Sequence, residues 1–290
     1  MTAYGASPIK RTRSTAAELA TLHAALYEYA GQNYPVTVRQ LFYAMTVQGH
    51  APKTENGYDL VGRELVKMRE RHALPFHWIA DNTRWQRKPV TYAGIEEMLD
   101  ITAQTYRRSL WIEAPAHVEV WLEKDALAGV LVEETRRYDV PLMVTRGYPS
   151  LTFLHSAALS IAEQARPVHI YYFGDHDPSG VDIPRKVEEG LKRYAPAAQI
   201  HFERVAVNEE QIRAWNLPGR PTKATDSRAK TFRGESVEVD AIPPLQLREL
   251  TRGCIERHLD QRRLGQLQRI EQEERGQLLE IARMMRGGAA

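Results

Sequence analysis

The chain has 290 residues and a mass of 33.1 kDa, a length that fits two domains of ordinary size. Its residues are 43% hydrophobic and 26% charged, which is typical of a folded globular protein and excludes a mostly disordered chain. No apolar run reaches the roughly 20 residues of a membrane helix, and the N-terminus lacks the apolar core of a signal peptide. The single cysteine, Cys254, excludes an internal disulfide, so a cytoplasmic protein without a membrane partner is expected.

Charge is unevenly distributed along the chain, although the net charge is only +2. Residues 1–90 carry 12 Lys and Arg against 7 Asp and Glu, whereas residues 91–290 carry 27 against 30. A basic first part is compatible with phosphate binding, and an acidic second part with cation binding. An ordinary solvated surface would give the same distribution, so the charge by itself assigns no function.

The N-terminal region is predicted to be mostly helical. Residues 1–14 are basic, and we expect them to form a flexible arm. Thr15 with Glu18 and Thr37 with Gln40 have the spacing of capping boxes, so each pair is expected to open a helix.

A third helix is predicted over residues 53–71, where apolar residues recur at helical spacing. They are Tyr58, Val61, Leu65 and Met68. Residues 74–90 have little helical period and hold tryptophans among basic residues. Three short helices followed by a basic and aromatic segment favour a winged-helix-like DNA-binding domain over residues 15–110. A plain helical bundle is the alternative.

Strands and helices alternate in the following part of the chain, residues 111–254. The predicted strands are 117–123, 141–147, 167–177 and 199–207. The helices between them are 124–139, 150–164 and 179–194. This alternation predicts an α/β domain with a parallel sheet covered on both faces.

The C-terminal part is predicted to be less regular at first. Residues 208–234 are polar and irregular, and a short strand and a helix are expected after them. Residues 255–290 read as a long amphipathic helix with a short tail. We expect this helix to pack on the domain or on a partner.

Three carboxylates follow predicted strands. Glu123 ends the first strand, and Asp175 and Asp177 end the third. Because ligands bind at the carboxyl ends of parallel strands, these acids are expected to converge and to hold a hard cation, Mg²⁺ or Mn²⁺. In the alternative, Asp175 caps the following helix and Asp177 forms an Asx turn.

Five segments resemble one protein family, in the family's order. They are TVRQLFYAM, WLEKDAL, VTRGYPS, FGDHDPSG and VEVDAIPP. They are similar to segments of the topoisomerase VI A subunit and of the meiotic double-strand-break transesterase, which contain a Toprim domain. The resemblance spans roughly residues 35–255, and the length of the chain suits a small stand-alone relative. It implies a Toprim domain over residues 111–254.

The resemblance also implies roles for individual residues. Glu123, Asp175 and Asp177 match its metal ligands, Tyr43 its nucleophile, and Arg39 the neighbour of that nucleophile. On a helix Arg39 and Tyr43 stand at i and i+4 and share a face. A neighbouring guanidinium favours the phenolate, so a lowered pKa is expected for Tyr43. The alternative is a half-buried tyrosine stacked under Arg39.

The partners follow from the same resemblance. Double-stranded DNA is the expected substrate, which would associate the protein with the nucleoid. The family brings the tyrosine of one subunit to the metal of the other, so a homodimer is expected. The family also pairs with a separate ATPase subunit, and this chain has no GxxxxGK[ST] loop of its own. Cleavage is therefore a safer expectation than strand passage.

Basic residues near the predicted helices and strand ends are candidates for DNA contacts. They are Lys53, Arg63, Lys67, Arg84, Lys124 and Arg146. Glu238 and Asp240 in VEVDAIPP are expected to support the site and not to take part in the reaction.

Three functions remain open from the sequence. The first is Mg²⁺-dependent DNA breakage in which Tyr43 becomes covalently joined to a 5′ phosphate. The second is a Toprim-type nuclease that uses the same acids to activate water, in phage or plasmid defence or on a mobile element. The third is a DNA-binding module without catalysis.

Overall fold

Three helices open the described part of the chain. The computed structural model describes residues 14–80, 90–221, 232 and 234–287. Its first helices are α1 (Ala16–Asn33), α2 (Val38–Val47) and α3 (Glu55–Glu70). Both predicted capping boxes are present, because the Thr15 and Thr37 side chains accept hydrogen bonds from the main chain three residues on. The predicted apolar stripe of α3 is confirmed, since Val61 and Leu65 are fully buried.

The segment after α3 contains a short 3₁₀ helix, Phe76–Trp78. Val36, just before α2, forms an isolated parallel bridge with Ile79. The basic and aromatic segment expected to form the wing, residues 74–90, falls largely on residues 81–89. These residues, which include Arg84, lie outside the described residues. The described helices are therefore compatible with either sequence interpretation.

The predicted parallel sheet is confirmed. Its strands are β1 (His117–Leu122), β2 (Leu142–Val144), β3 (Val168–Phe173) and β4 (Ile200–Ala206). All neighbouring strands are parallel, in the order β2-β1-β3-β4. The connecting helices are α5 (Ala128–Arg137), α6 (Leu151–Ala162) and α7 (Pro178–Tyr194).

Alternation along the strands places apolar side chains on both faces of the sheet. Val120 and Leu122 join a core that continues into the N-terminal helices, where Leu41 is also fully buried. Trp121 and Tyr172 point to the other face and pack with α6 and α7. Because burial of apolar area is the main favourable term in folding, this continuous core fixes the N-terminal helices on the sheet.

The chain after β4 departs from its predicted form. A helix, α8 (Glu209–Ala214), occupies part of the segment predicted to be irregular, and Asn208 caps it. The predicted short strand is wrong for the described residues, which form two isolated bridges there, from Ser236 to Arg220 and from Val237 to His176. A 3₁₀ helix follows at Val239–Ala241, and then α9 (Pro244–Glu256).

The C-terminal helix, α10 (Gln261–Gly287), starts later than predicted. The helix α9 runs to Glu256, and Asp260 then accepts a hydrogen bond from the Arg262 main chain at 2.8 Å. A further helix, α4 (Ile95–Thr105), lies between α3 and β1 and packs against α10. The described α10 therefore packs on its own chain. None of the described helices is long and apolar enough to cross a membrane.

Three histidines cluster where β3 and β4 meet the end of α9. The ring of His169 lies 4.5 Å from His201 and 4.2 Å from His258, between centroids. The Tyr171 hydroxyl lies 2.6 Å from Nε2 of His258. Burial, the nearby His169 and Arg257 lower the pKa of His258 to about 4. Other titratable or charged groups beside the cluster are Glu203 and Cys254.

We expect the His258 site to make folding stability depend on pH. Unfolded histidine takes up a proton near pH 6.5, whereas folded His258 stays neutral until about pH 4. The folding stability that depends on a neutral His258 is therefore fully present above pH 6.5 and is lost as the pH falls towards 4. Acidification from pH 7 to 5 should cost about 1–2 kcal/mol at this site, after a discount for its partial exposure. Urea unfolding of wild type and His258→Gln at both pH values measures it, because glutamine keeps an acceptor without titrating. Equal pH dependence in the two proteins would contradict the assignment.

Candidate functional site

A cleft of about 680 Å³ lies between the N-terminal helices and the carboxyl end of the sheet. Acidic and basic side chains line it together. The acids are Glu123, Asp125, Asp175, Glu238 and Asp240, and the bases are Arg39, Arg69, Lys124 and Arg146. The cleft therefore has the place in the fold where parallel sheets bind ligands.

Glu123 and Asp175 are brought into direct contact, as the sequence predicted. They follow the neighbouring strands β1 and β3, and Oε2 of Glu123 accepts a hydrogen bond from the Asp175 main-chain N–H at 3.1 Å. Burial raises the pKa of Glu123 to about 7, and the charge of Asp175 adds to this effect. Such a pair is costly as two anions and is stabilised when a cation lies beside it.

Asp175 and Asp177 have different roles in the loop after β3. Burial raises the pKa of Asp175, whose Oδ1 accepts a hydrogen bond from the Val239 main chain at 2.8 Å. Asp177 is the N-cap of α7 and accepts from the Gly180 main chain at 2.7 Å. A cap formed by Asp175, the alternative that the sequence allows, is therefore wrong. A single capping bond leaves the second carboxylate oxygen of Asp177 available to a ligand.

Lys124, which follows β1, connects the end of the sheet with the segment that contains Glu238 and Asp240. Its Nζ lies 3.1 Å from Asp175, 3.1 Å from Glu238 and 2.6 Å from Asp240. Burial alone would lower the pKa of Lys124, but the three carboxylates outweigh burial and the net shift is upward. The DNA contact of Lys124 stays a prediction, and its ammonium is paired with these acids.

Arg39 ties α2 to the same network. Its Nη1 donates to Oε2 of Glu238 at 2.8 Å, and its guanidinium lies 5.1 Å from the ring centroid of Tyr58. Arg220 pairs with the other carboxylate oxygen of Glu238, also at 2.8 Å. Glu238 therefore binds cations from three segments of the chain.

Tyr43 lies beside the cleft and not in it. It is only 7% exposed and lines a smaller pocket of about 140 Å³, which shares Asp240 with the cleft. Burial and the charge of Glu238 raise the pKa of Tyr43 to about 12. Lys124 and Arg39 act in the opposite direction but are weaker. The predicted lowering of this pKa is therefore wrong for the chain without ligand, because desolvation exceeds the effect of the neighbouring cations.

The other candidates for DNA contacts are scattered. Arg146 lines the cleft and pairs with Asp125 at 2.9 Å. Lys67 pairs with Glu64 at 2.6 Å. Lys53, Arg63 and Lys67 are exposed and do not line the cleft.

Two basic residues of the site were missed by the sequence analysis. Arg69 lines the cleft from α3. Arg204 on β4 donates to the Asp175 carbonyl at 2.7 Å and lies close enough to interact electrostatically with Glu123. An arginine in a strand gives no signal by itself, because only the pairing of β3 with β4 brings it to the acids.

The acids of the cleft provide some, but not all, of the features of a site for a hard divalent cation. Glu123 is partly buried and Asp175 is buried, and the pKa values of both carboxyl groups are raised. Asp177 lies near enough to raise the pKa of Glu123 further. Across the described ranges, no three His, Cys, Asp or Glu side chains are arranged as a metal site. The convergence predicted for three acids is thus seen for two, while the third caps a helix.

Comparison with known proteins gives no family assignment. No family model matches the chain, and no curated protein matches its sequence. The functional interpretation therefore depends on the residues of the cleft and on their geometry.

Proposed function

We propose that the protein breaks double-stranded DNA in a Mg²⁺-dependent reaction, with Tyr43 as the nucleophile. The observation that carries the proposal is the meeting of α2 with the acidic edge of the sheet. The Tyr43-bearing helix is bound through Arg39 to Glu238, and Glu238 is bound through Lys124 to Asp175. A phenol, cations and paired acids are thus adjacent, as a phosphodiester transfer requires.

In this proposal the DNA backbone lies in the cleft, where its phosphates meet basic side chains. Arg39, Arg69 and Arg146 line the cleft and are suited to hold phosphate oxygens. Glu123, Asp175 and Asp177 would hold Mg²⁺, and the bound metal would supply stabilisation of negative charge on the departing 3′ oxygen. The winged-helix and Toprim assignments of the two parts of the chain, and a homodimer, belong to the same proposal.

The covalent step exchanges one phosphodiester for another. The Tyr43 oxygen forms a bond to phosphorus while the bond from phosphorus to the 3′ oxygen breaks. The phenol releases its proton to water and the 3′ oxygen takes one up, so the exchange is balanced. Because burial keeps the Tyr43 phenol protonated, DNA binding has to bring its oxygen out to the cleft before attack.

One observation favours a second candidate, a hydrolytic nuclease. Tyr43 is buried and faces the smaller pocket, whereas Glu123 and Asp175 are already in contact at the cleft. In that case the acids act without the phenol, water attacks the phosphate, and no covalent protein–DNA intermediate forms.

The deciding experiment is cleavage of supercoiled plasmid with Mg²⁺ or Mn²⁺, stopped with SDS and analysed with and without protease. We expect wild type to give protein-linked breaks and Tyr43→Phe to lose them by more than about a thousandfold. Tyr29→Phe is the matched control, because Tyr29 lines the same small pocket. Asp175→Ala should also be inactive.

Other outcomes reject the tyrosine mechanism. Protein-free breaks that persist in Tyr43→Phe and disappear in Asp175→Ala would establish the nuclease. If wild type binds DNA but does not cut it, the remaining interpretation is a DNA-binding module without catalysis.

A further inference from the structure

A second cavity lies at the opposite end of the sheet from the acidic cleft. Its volume is about 660 Å³. Its lining includes His117 and Val118 at the start of β1 and Pro141 just before β2. Because β1 rises by roughly 3.3 Å per residue, about 20 Å separates it from Glu123. The cavity and the acidic cleft are therefore separate sites.

Three arginines enter this cavity from three separate segments of the chain. Arg107 precedes β1, Arg136 is in the last turn of α5, and Arg166 precedes β3. Two main-chain carbonyls, of Trp111 and Ala114, accept hydrogen bonds from Arg166. Arg166 is thereby held in place while its charge meets no carboxylate among the described residues.

The acidic groups around the cavity leave this positive charge in excess. Among the described residues that line the cavity, Asp139 is the one acid. Glu271 lies 3.6 Å from Arg107, but it is already bound by Arg275 at 2.9 Å and by the Arg108 main chain at 2.9 Å. Within the described part of the chain, Arg136 forms no ion pair. Convergent guanidinium groups in a cavity of this size suit a multiply charged oxyanion.

We propose that this cavity binds the phosphate groups of a ligand, either a free phosphate compound or a second DNA segment. Arg107, Arg136 and Arg166 hold the phosphate oxygens by charge-assisted hydrogen bonds. Ser109 and Gln164 add uncharged polar groups to the wall. This proposal does not depend on cleavage at the acidic cleft.

The test is calorimetric titration of the full chain with inorganic pyrophosphate, in EDTA so that no metal contributes. We expect one site, weakened about tenfold in Arg136→Gln and again in Arg107→Gln. Arg137→Gln is the matched control. Arg137 is the next residue of α5 and is also exposed, but it lies over the Tyr138 ring and does not line the cavity. Thermal unfolding should be nearly unchanged in all three variants.

A competition arm identifies the source of the phosphate. A short DNA duplex that displaces pyrophosphate from wild type, with an affinity that Arg136→Gln reduces, would assign the cavity to the DNA backbone. Failure of the duplex to compete would assign it to free phosphate compounds. The absence of pyrophosphate binding, or binding equal in wild type and Arg136→Gln, would overturn the proposal.

Discussion

Replacement of Lys124 by methionine should destabilise the protein by about 3–5 kcal/mol at neutral pH, the largest effect expected of any single change in the site. The ammonium lies within 3.1 Å of Asp175, Glu238 and Asp240, and each of these residues is at least nine-tenths buried. Methionine keeps the length of the side chain but leaves three carboxylates without that cation. The free energy of unfolding in urea measures the loss.

The pH dependence of this loss separates charge from packing. In Lys124→Met the carboxylates would bind protons more tightly in the folded than in the unfolded chain. Acidification should therefore reduce the deficit relative to wild type. Adding Asp240→Asn should recover part of it, as a double-mutant cycle would show. A deficit that is the same at every pH would indicate lost packing instead.

The matched control for Lys124 is an exposed lysine in a surface ion pair. Lys192 pairs with Glu188 at 2.6 Å on the surface of α7. Lys192→Met should change the free energy of unfolding by less than about 0.5 kcal/mol, because water screens exposed pairs. A similar large effect at both lysines would contradict the special role given to the buried network.

Substitution of Gly174 by alanine should disable the acidic cleft. A Cβ at this position would lie 2.5 Å from Oε2 of Glu123 and 2.6 Å from the ring of Tyr172. The Tyr172 side chain is fully buried, so it cannot move away freely. We expect the Glu123 carboxylate to be displaced, with a loss of about 1–3 kcal/mol in stability. Metal-dependent DNA cleavage and Mg²⁺ affinity should each fall at least about tenfold.

Gly62→Ala provides the comparison for Gly174→Ala. A Cβ on Gly62 would meet nothing within 4 Å, and α3 should gain up to about 1 kcal/mol from the better helix former. Calorimetric Mg²⁺ titration, together with the plasmid assay, distinguishes the two changes. Unchanged Mg²⁺ affinity in Gly174→Ala would contradict the expected displacement of Glu123 from a metal site.

The sequence by itself determined the local structure and the regular core. The capping boxes at Thr15 and Thr37 predicted the starts of two helices, because those contacts span only three residues. The alternation of strands and helices predicted the parallel sheet. It also placed Glu123 and Asp175 at one edge, since parallel strands bring their carboxyl ends together. The family resemblance was the source of the role proposed for Tyr43.

Only the tertiary structure decided the chemical state of these groups. The partners of Lys124 come from Asp175 and from residues more than 100 positions later, so no local pattern could reveal them. The pKa of Tyr43 was predicted to fall beside Arg39, yet it rises, because burial depends on how α2 packs against the rest of the chain. Spacing along a helix or strand is fixed by local geometry. The pKa of a site residue instead depends on its burial and on every charged group that the fold brings near. These long-range effects decide the chemical state of the site residues.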